Sequence, residues 1–425
     1  MEKKQSKKLF FRLLSRTAKS PIFATISFIV IFFTIYAENI VSDLSAYPLD
    51  LQNYEIFESQ IALQDAEEIL PATFATTPRL LASNNVDEEV DAENSDPLIP
   101  PKNLTKEERI VWFGRKLSET EILDSNDLTQ KFHGRVLEFL SNNCTMQFFM
   151  TWFEPAKGFG KREFFTLDTL FKSHPQGCLM IISRTMDSKR GYRILKPLLD
   201  SGFKILTVTP DVPFLLKNTP GEAWLEEMKN GDKDPGLVPF PHNLSNLVRI
   251  ALLYKYGGAF LDTDFIILKD FSESRNAIGV QSIHSKTKQW TRLNNEVLIF
   301  DINHPLLLDF MEEFALNFNG NQWGSNGPYL VSRVVERAAT NPGYNFTILP
   351  MKAFYPVNWR DIHKYLKRPE NESESRWVES KVNELSDGET YGLHLWNKQS
   401  KELEIEEGSV VAKLVSDHCV ICQGI

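Results

Sequence analysis

The sequence predicts an α/β fold with a mainly parallel sheet, and three observations carry that prediction. First, short apolar runs alternate with segments of helical spacing across residues 147–153, 163–172, 178–183, 191–199 and 203–209. Such alternation is the signature of βαβ units. Second, the helical run 244–256, with Leu244, Leu247, Val248, Ala251, Leu252 and Tyr254 near the helical period, stops at Gly257. An apolar strand follows it, broken only by Asp262 and Asp264. Third, no Gly-x-Gly-x-x-Gly follows the first strand and no Walker loop occurs. That argues against dinucleotide and P-loop variants of the fold.

Taken in order, the chain opens with a basic stretch. Residues 1–20 hold Lys3, Lys4, Lys7, Lys8, Arg12, Arg16 and Lys19, and residues 22–37 are free of charge. The spacing predicts a retained signal-anchor over 21–37, close to the ~17–25 residues a span needs. The basic flank stays cytosolic and the remainder faces a lumen. A cleaved signal peptide is the alternative, although no clean small-residue cleavage site follows. Residues 38–100 carry fourteen acids against the single base Arg79. This composition, with five prolines, predicts an extended acidic stem. Helical spacing at Leu128, Phe132, Val136, Phe139 and Leu140 extends the spacer region 38–140 into a helical linker, and the lumenal domain occupies 141–425. Of the net charge of −9, only about −2 falls on residues 101–425, too balanced for a nucleic-acid face.

Five Asn-x-Ser/Thr acceptor patterns begin at Asn103, Asn143, Asn243, Asn345 and Asn371 and agree with a lumenal domain. Cys144, Cys178, Cys419 and Cys422 are even in number, which predicts two disulfides with three possible connectivities. One CxxC without a second close-spaced pair is a poor zinc signature. Residues 217–240 read as a polar insertion around Trp224. Strand 295–300, helix 304–318, a turn at 324–328 leading into a further helix, and the closing run 391–397 complete the pattern.

The chemistry concentrates at 254–269, YKYGGAFLDTDFIILK. Buried carboxylates are costly unless something pairs with them. On a strand, residues two apart share a side, so Asp262 and Asp264 can converge on one cation, and oxygen ligands suit Mg²⁺ or Mn²⁺. A second triplet, Asp232-Lys233-Asp234, lies in a polar loop where solvated acids cost nothing. Arg249, within an otherwise apolar helix, either snorkels to the surface or points at the same cleft to meet a phosphate or sugar hydroxyl.

The block LSNLVRIALLYKYGGAFLDTD (244–264) resembles the DXD sugar-binding region of glycosyltransferase family 32, in its α1,4-glycosyltransferase (lactosylceramide 4-α-galactosyltransferase-like) branch with its plant-type members. Blocks 149–155 (FMTWFEP), 293–300 (LNNEVLIF), 323–328 (WGSNGP) and 394–397 (HLWN) agree. The resemblance implies a GT-A domain, a UDP-sugar donor, Mn²⁺ or Mg²⁺, retention of anomeric configuration, and a glycan or glycolipid acceptor. It also implies a Golgi type II protein, in homo-oligomers or in hetero-oligomers with other Golgi transferases. By the same resemblance Asp262, Asp264 and Arg249 form the catalytic set, and Asp262, Asp264 and His394 hold the metal. Trp152, Asn246, Arg249, Gly257, Gly258, Asp262, Asn295 and Trp396 are the candidate contacts to the nucleotide sugar, with core packing for Trp152, a helix stop for Gly257 and Gly258, and a turn cap for Asn295 as the alternatives. Asn246 stands where the family commonly has Asp, which opens the identity of the donor sugar. No residue identifies itself as a covalent nucleophile, which favours front-face attack. Two competing readings are an aspartyl-phosphate phosphatase, which would want a downstream acidic pair, and an inactive lumenal binding relative.

Overall fold

The computed structural model describes residues 98–339 and 343–422. The expected anchor and acidic stem lie outside the described residues. Among the described residues no helix is long and apolar enough to cross a membrane.

The fold is built on a seven-stranded sheet in the order β3-β2-β1-β4-β7-β6-β8. Its strands are β1 Gln147–Thr151, β2 Cys178–Ile182, β3 Lys204–Val208, β4 Gly258–Leu261, β6 Ala277–Ile283, β7 Trp290–Phe300 and β8 Thr347–Leu349. β1, β2, β3 and β4 run parallel, and β6 pairs parallel with β8. β7 is antiparallel to both its neighbours. The predicted mainly parallel α/β sheet is therefore present, with one reversed strand.

Alternation along the strands divides the core into two layers. Phe149, Met180, Phe260 and Leu298 face one side, where helices Lys106–Ser118, Phe132–Leu140, Pro220–Asn230, Phe240–Tyr256, Pro305–Leu316 and Pro328–Ala338 pack. Phe148, Met150, Leu179, Ala259, Leu261 and Val297 face the other, under helices Lys161–Ser173 and Val410–His418. The segment expected as a helical linker is helical, and it goes further than linking. Phe113, Leu117, Phe132 and Val136 are buried in the first layer. Arg109 is held against Asp234 by paired hydrogen bonds of 2.9 and 3.1 Å. In the second DXD-like triplet Asp232 is exposed in a loop as expected, but Asp234 is not simply solvated: it clamps the amino-terminal helix and also accepts from Asn321 at 3.0 Å.

The expected polar insertion at 217–240 contains the helix Pro220–Asn230 instead. Thr219 caps it, Pro220 occupies its first turn, and Gly231 ends it in the left-handed conformation at φ 77°. Trp224 is fully buried, stacked on Phe240 and edge-on to Phe314. Trp224→Ala should lower the unfolding free energy by about 3–5 kcal/mol. Trp224→Phe should cost much less, because the indole N–H has no hydrogen-bond partner to lose. Urea denaturation of both variants checks the contrast.

Cys144 is bonded to Cys178 and Cys419 to Cys422, resolving the connectivity left open by the sequence. The fully buried Asp168 accepts the backbone N–H groups of Val420, Ile421 and Cys422 at 2.8–3.0 Å, docking the second loop onto helix Lys161–Ser173. Of the glycosylation patterns, Asn243 is only 2% exposed, on helix Phe240–Tyr256, and accepts a hydrogen bond from Asn326. The folded protein cannot present it to a transferase.

Candidate active site

The apolar run carrying the two aspartates is not one strand. β4 ends at Leu261, and β5 (Phe265–Ile267) belongs to a separate two-stranded sheet with β9 (Gly392–His394). Asp262-Thr263-Asp264 is the turn between the two sheets. The expected same-side geometry therefore does not come from strand alternation. It comes from a turn held on both sides: Thr166 Oγ1 donates to the Thr263 carbonyl at 2.9 Å, and Ile267 N–H donates to Thr169 Oγ1 at 3.1 Å. Carboxylates at a turn remain reachable. Asp262 keeps 24% of its side-chain surface exposed, whereas Asp264 keeps 7%.

Arg249 is almost fully buried and points at the turn. Its guanidinium pairs with Asp262 at 3.0 Å and donates to the Asn295 carbonyl at 2.8 Å, the Ser245 carbonyl at 3.2 Å and Ser245 Oγ at 3.0 Å, while lying over the Phe260 ring. The snorkelling alternative is thereby ruled out. With most of its donors engaged by protein, Arg249 orients Asp262.

β9 brings the third component. Phe265 pairs with His394 across β5 and β9, and Leu395 N–H donates to the Asp264 carbonyl at 2.9 Å. His394 Nε2 lies 3.2 Å from Asp264 Oδ1, while Asp264 Oδ2 accepts the Asn397 N–H at 2.8 Å. Trp396 adopts the left-handed conformation at φ 56°, rare for a bulky residue, and its ring packs edge-on to His394.

Sequence reading missed Glu296. The antiparallel register of β4 with β7 sets Leu261 opposite Val297, so Asp262 N–H donates to the Glu296 carbonyl at 3.0 Å. The Glu296 carboxylate lies 3.1 Å from His394 Nε2 and accepts from Asn294 at 2.9 Å. Among the described residues, Asp262, Glu296 and His394 form the group whose donor atoms all lie within 4.8 Å of one another. The signal was present in the sequence: a lone acid at the head of the apolar run 297–300, the same argument that singled out Asp262.

Three carboxylates thus meet two cationic side chains. Burial pushes Glu296 up to about 8 against the pull of His394 and Arg249, with Asp262 and Asp264 adding to the rise. Burial also raises Asp262, against the pull of Arg249. For His394, burial acts downward, but Asp264 and Glu296 outweigh it and set the imidazole at about 9. For Asp264, burial acts upward and is outweighed by His394 and the Asn397 N–H, leaving it below the usual range. Several partly buried carboxylates gathered beside an imidazole nitrogen are donor chemistry that fits a divalent cation.

The remaining predicted contacts divide. Asn246 and Asn295 are together, with Asn295 Nδ2 donating to Asn246 Oδ1 at 2.8 Å. Gly327 sits against the pair, where an added Cβ would lie 2.9 Å from Asn295 Oδ1. Trp152 and Trp396 have spent their indole N–H groups on the carbonyls of Pro155 and Val357, so neither indole is free to donate to a nucleotide. Gly257 and Gly258 are not brought to the carboxylates. They lie at the other end of β4, Gly258 about 13 Å and Gly257 about 16 Å along the strand from Asp262. Their positive φ angles and the close approach of Ile302 and Gln147 explain the glycines as the helix stop and strand entry.

This turn, with its acids, its histidine and the adjoining amide pair, has the make-up of a DXD-type sugar-nucleotide site. Residues 160–296 match the glycosyltransferase sugar-binding region containing the DXD motif, and residues 299–425 match the α1,4-glycosyltransferase conserved region. The chain is 30% identical over 266 residues to mouse lactosylceramide 4-alpha-galactosyltransferase, covering 60% of this chain and 68% of that protein. It is 29% identical over 296 residues to an uncharacterized protein of Arabidopsis thaliana, covering 68% of this chain but 44% of that longer relative. Human alpha-1,4-N-acetylglucosaminyltransferase matches at 27% over 221 residues, 49% of this chain and 58% of that one. Among solved structures, the PaToxG glycosyltransferase aligns with a TM-score of 0.34 at 18% identity, over 50% of this chain and 79% of that one. The chain belongs to the α1,4-glycosyltransferase family with a DXD sugar-binding region.

Proposed function

We propose that this chain is a metal-dependent, retaining hexosyltransferase of GT-A architecture, moving galactose from a UDP-sugar to a glycan or glycolipid acceptor in α1,4 linkage. The observation that carries the proposal is the convergence of Asp262, Asp264 and Glu296 on His394 at the turn between β4 and β5. Relatives named as galactosyl- and N-acetylglucosaminyltransferases support the reaction class.

A divalent cation bound to Asp262, Asp264 and His394 would supply positive charge to the departing nucleoside diphosphate. The chain's own residues do the rest. Arg249 holds Asp262 toward the cleft, and the Asn397 N–H fixes Asp264 from the opposite side. The amides of Asn246 and Asn295 read sugar hydroxyls, and Gly327 leaves room for them to do so. The neutral Asn246 is the position that sets donor choice. Incubating the full chain with Mn²⁺, a panel of UDP-hexoses and lactosyl acceptors, then assigning the product by NMR, tests the reading. An α1,4-galactoside is expected. Well-folded protein that neither binds nor turns over any of the donors would sink the proposal in favour of an inactive binding relative.

The proposal includes a Golgi type II topology, anchored by residues 21–37 with the catalytic domain lumenal; the basic flank followed by the uncharged run supports it. In sealed microsomes the carboxyl terminus should resist added protease, and its digestion without detergent would contradict this topology.

A further inference from the structure

Resting on the reading that a divalent cation occupies this turn, we infer that Glu296 is a direct ligand of that cation, a donor supplied by β7 from outside the DXD turn. Three observations converge on it. The antiparallel register fixes Glu296 across from Asp262, with the Asp262 N–H on the Glu296 carbonyl at 3.0 Å, so the two side chains leave the sheet as neighbours. The carboxylate is aimed and held. Asn294, itself fully buried, donates to Glu296 Oε2 at 2.9 Å and accepts the Glu296 N–H at 3.2 Å. Finally, Asp262, Glu296 and His394 offer two oxygens and a nitrogen that all lie within 4.8 Å of one another. Donors to one Mg²⁺-sized ion, at ~2.1 Å each, lie no more than about 4.2 Å apart, so the set would contract on binding.

Partnership with His394 alone does not account for Glu296. Asp264 already lies against the same imidazole nitrogen at 3.2 Å, so Glu296 and Asp264 share one imidazole, while Arg249 is paired with Asp262. An ion beside Asp262, Asp264 and His394 takes Glu296 as a further donor, while the Asn397 N–H holds Asp264 in place. Asn294 is then a positioning residue, fixing which carboxylate oxygen faces the ion.

The test reads the metal rather than turnover. The full chain is produced with glutamate carrying the magnetic isotope of carbon at its side-chain carboxyl, loaded with Mn²⁺, and examined by electron-nuclear double resonance. A carbon coupling of the size of a coordinated carboxylate is expected in the wild type, and it should vanish in Glu296→Gln. That variant should also bind Mn²⁺ at least tenfold more weakly while its metal-free melting temperature stays within a few degrees of wild type. Bound Mn²⁺ without the coupling, or a coupling that survives in Glu296→Gln, overturns the assignment and leaves the metal-dependent reading intact. Failure of folded wild-type protein to bind Mn²⁺ overturns the reading on which the assignment rests.

Discussion

Replacing Arg249 with methionine should destabilise the protein by about 3–5 kcal/mol, the range for removing one partner of a buried ion pair. The guanidinium is 3% exposed and serves four acceptors: Asp262, Ser245 Oγ, and the carbonyls of Ser245 and Asn295. Methionine fills the volume and keeps the packing on Phe260, but the acid and the Asn295 carbonyl lose their partner. Arg249→Lys should recover only part of the loss, because one ammonium cannot span the acceptors that the planar fork reaches. A further consequence separates this pair from an ordinary structural ion pair. With Arg249 gone, Asp262 adds to the unmatched acid of the cluster, so Mn²⁺ should raise the melting temperature of Arg249→Met more than that of the wild type. Differential scanning fluorimetry with and without Mn²⁺ reads both effects, and an unchanged metal-free melting temperature would contradict the assigned role.

The second large effect falls on turnover. Asp264→Asn should reduce transfer by roughly two to three orders of magnitude, the range seen when a group that stabilises transition-state charge is removed. Stability should change by no more than ~2 kcal/mol. The substitution keeps size and the backbone bond to Leu395. It removes the charge, and if its amide nitrogen faces the Asn397 N–H, donor opposes donor at a position that now has an acceptor at 2.8 Å. Initial rates beside urea denaturation of the same preparation make the comparison. Loss of activity matched by loss of fold would contradict a role in the reaction.

Much of the architecture is legible in the sequence, because local pattern decides it. β1, β2 and β3 and the helices between them follow directly from alternating apolar runs and helical spacing. The helix that ends at Gly257 does too, since its stop is a residue-level signal. What was hidden depended on pairing at a distance. The Asp262–Asp264 turn reads as strand because its flanks are apolar on both sides, yet those flanks belong to different sheets, and nothing local says that β5 will leave β4 for β9. Glu296 carries a local signal as a lone acid at the head of an apolar run, but its neighbour is Asp262 only through the register of a reversed strand. Helix Pro220–Asn230 was misread as a polar insertion although Thr219, Pro220 and Gly231 are its caps. Its polar face is long, and Trp224 is the most prominent apolar residue on view. Site composition fared better than site geometry. Asp262, Asp264, Arg249, His394, Asn246 and Asn295 do meet, whereas Gly257 and Gly258 serve the far end of β4.

The central claim is that the acid-rich turn works by holding a divalent cation against a nucleotide sugar. Its most direct test is release of nucleoside diphosphate from UDP-galactose by the full chain, first stripped with chelator and then titrated with Mn²⁺. The account predicts no release in chelator, saturable recovery with Mn²⁺, and no recovery in Asp262→Asn at the Mn²⁺ concentration that saturates the wild type. Release in chelator equal to that in Mn²⁺, or full recovery by Asp262→Asn, would contradict it.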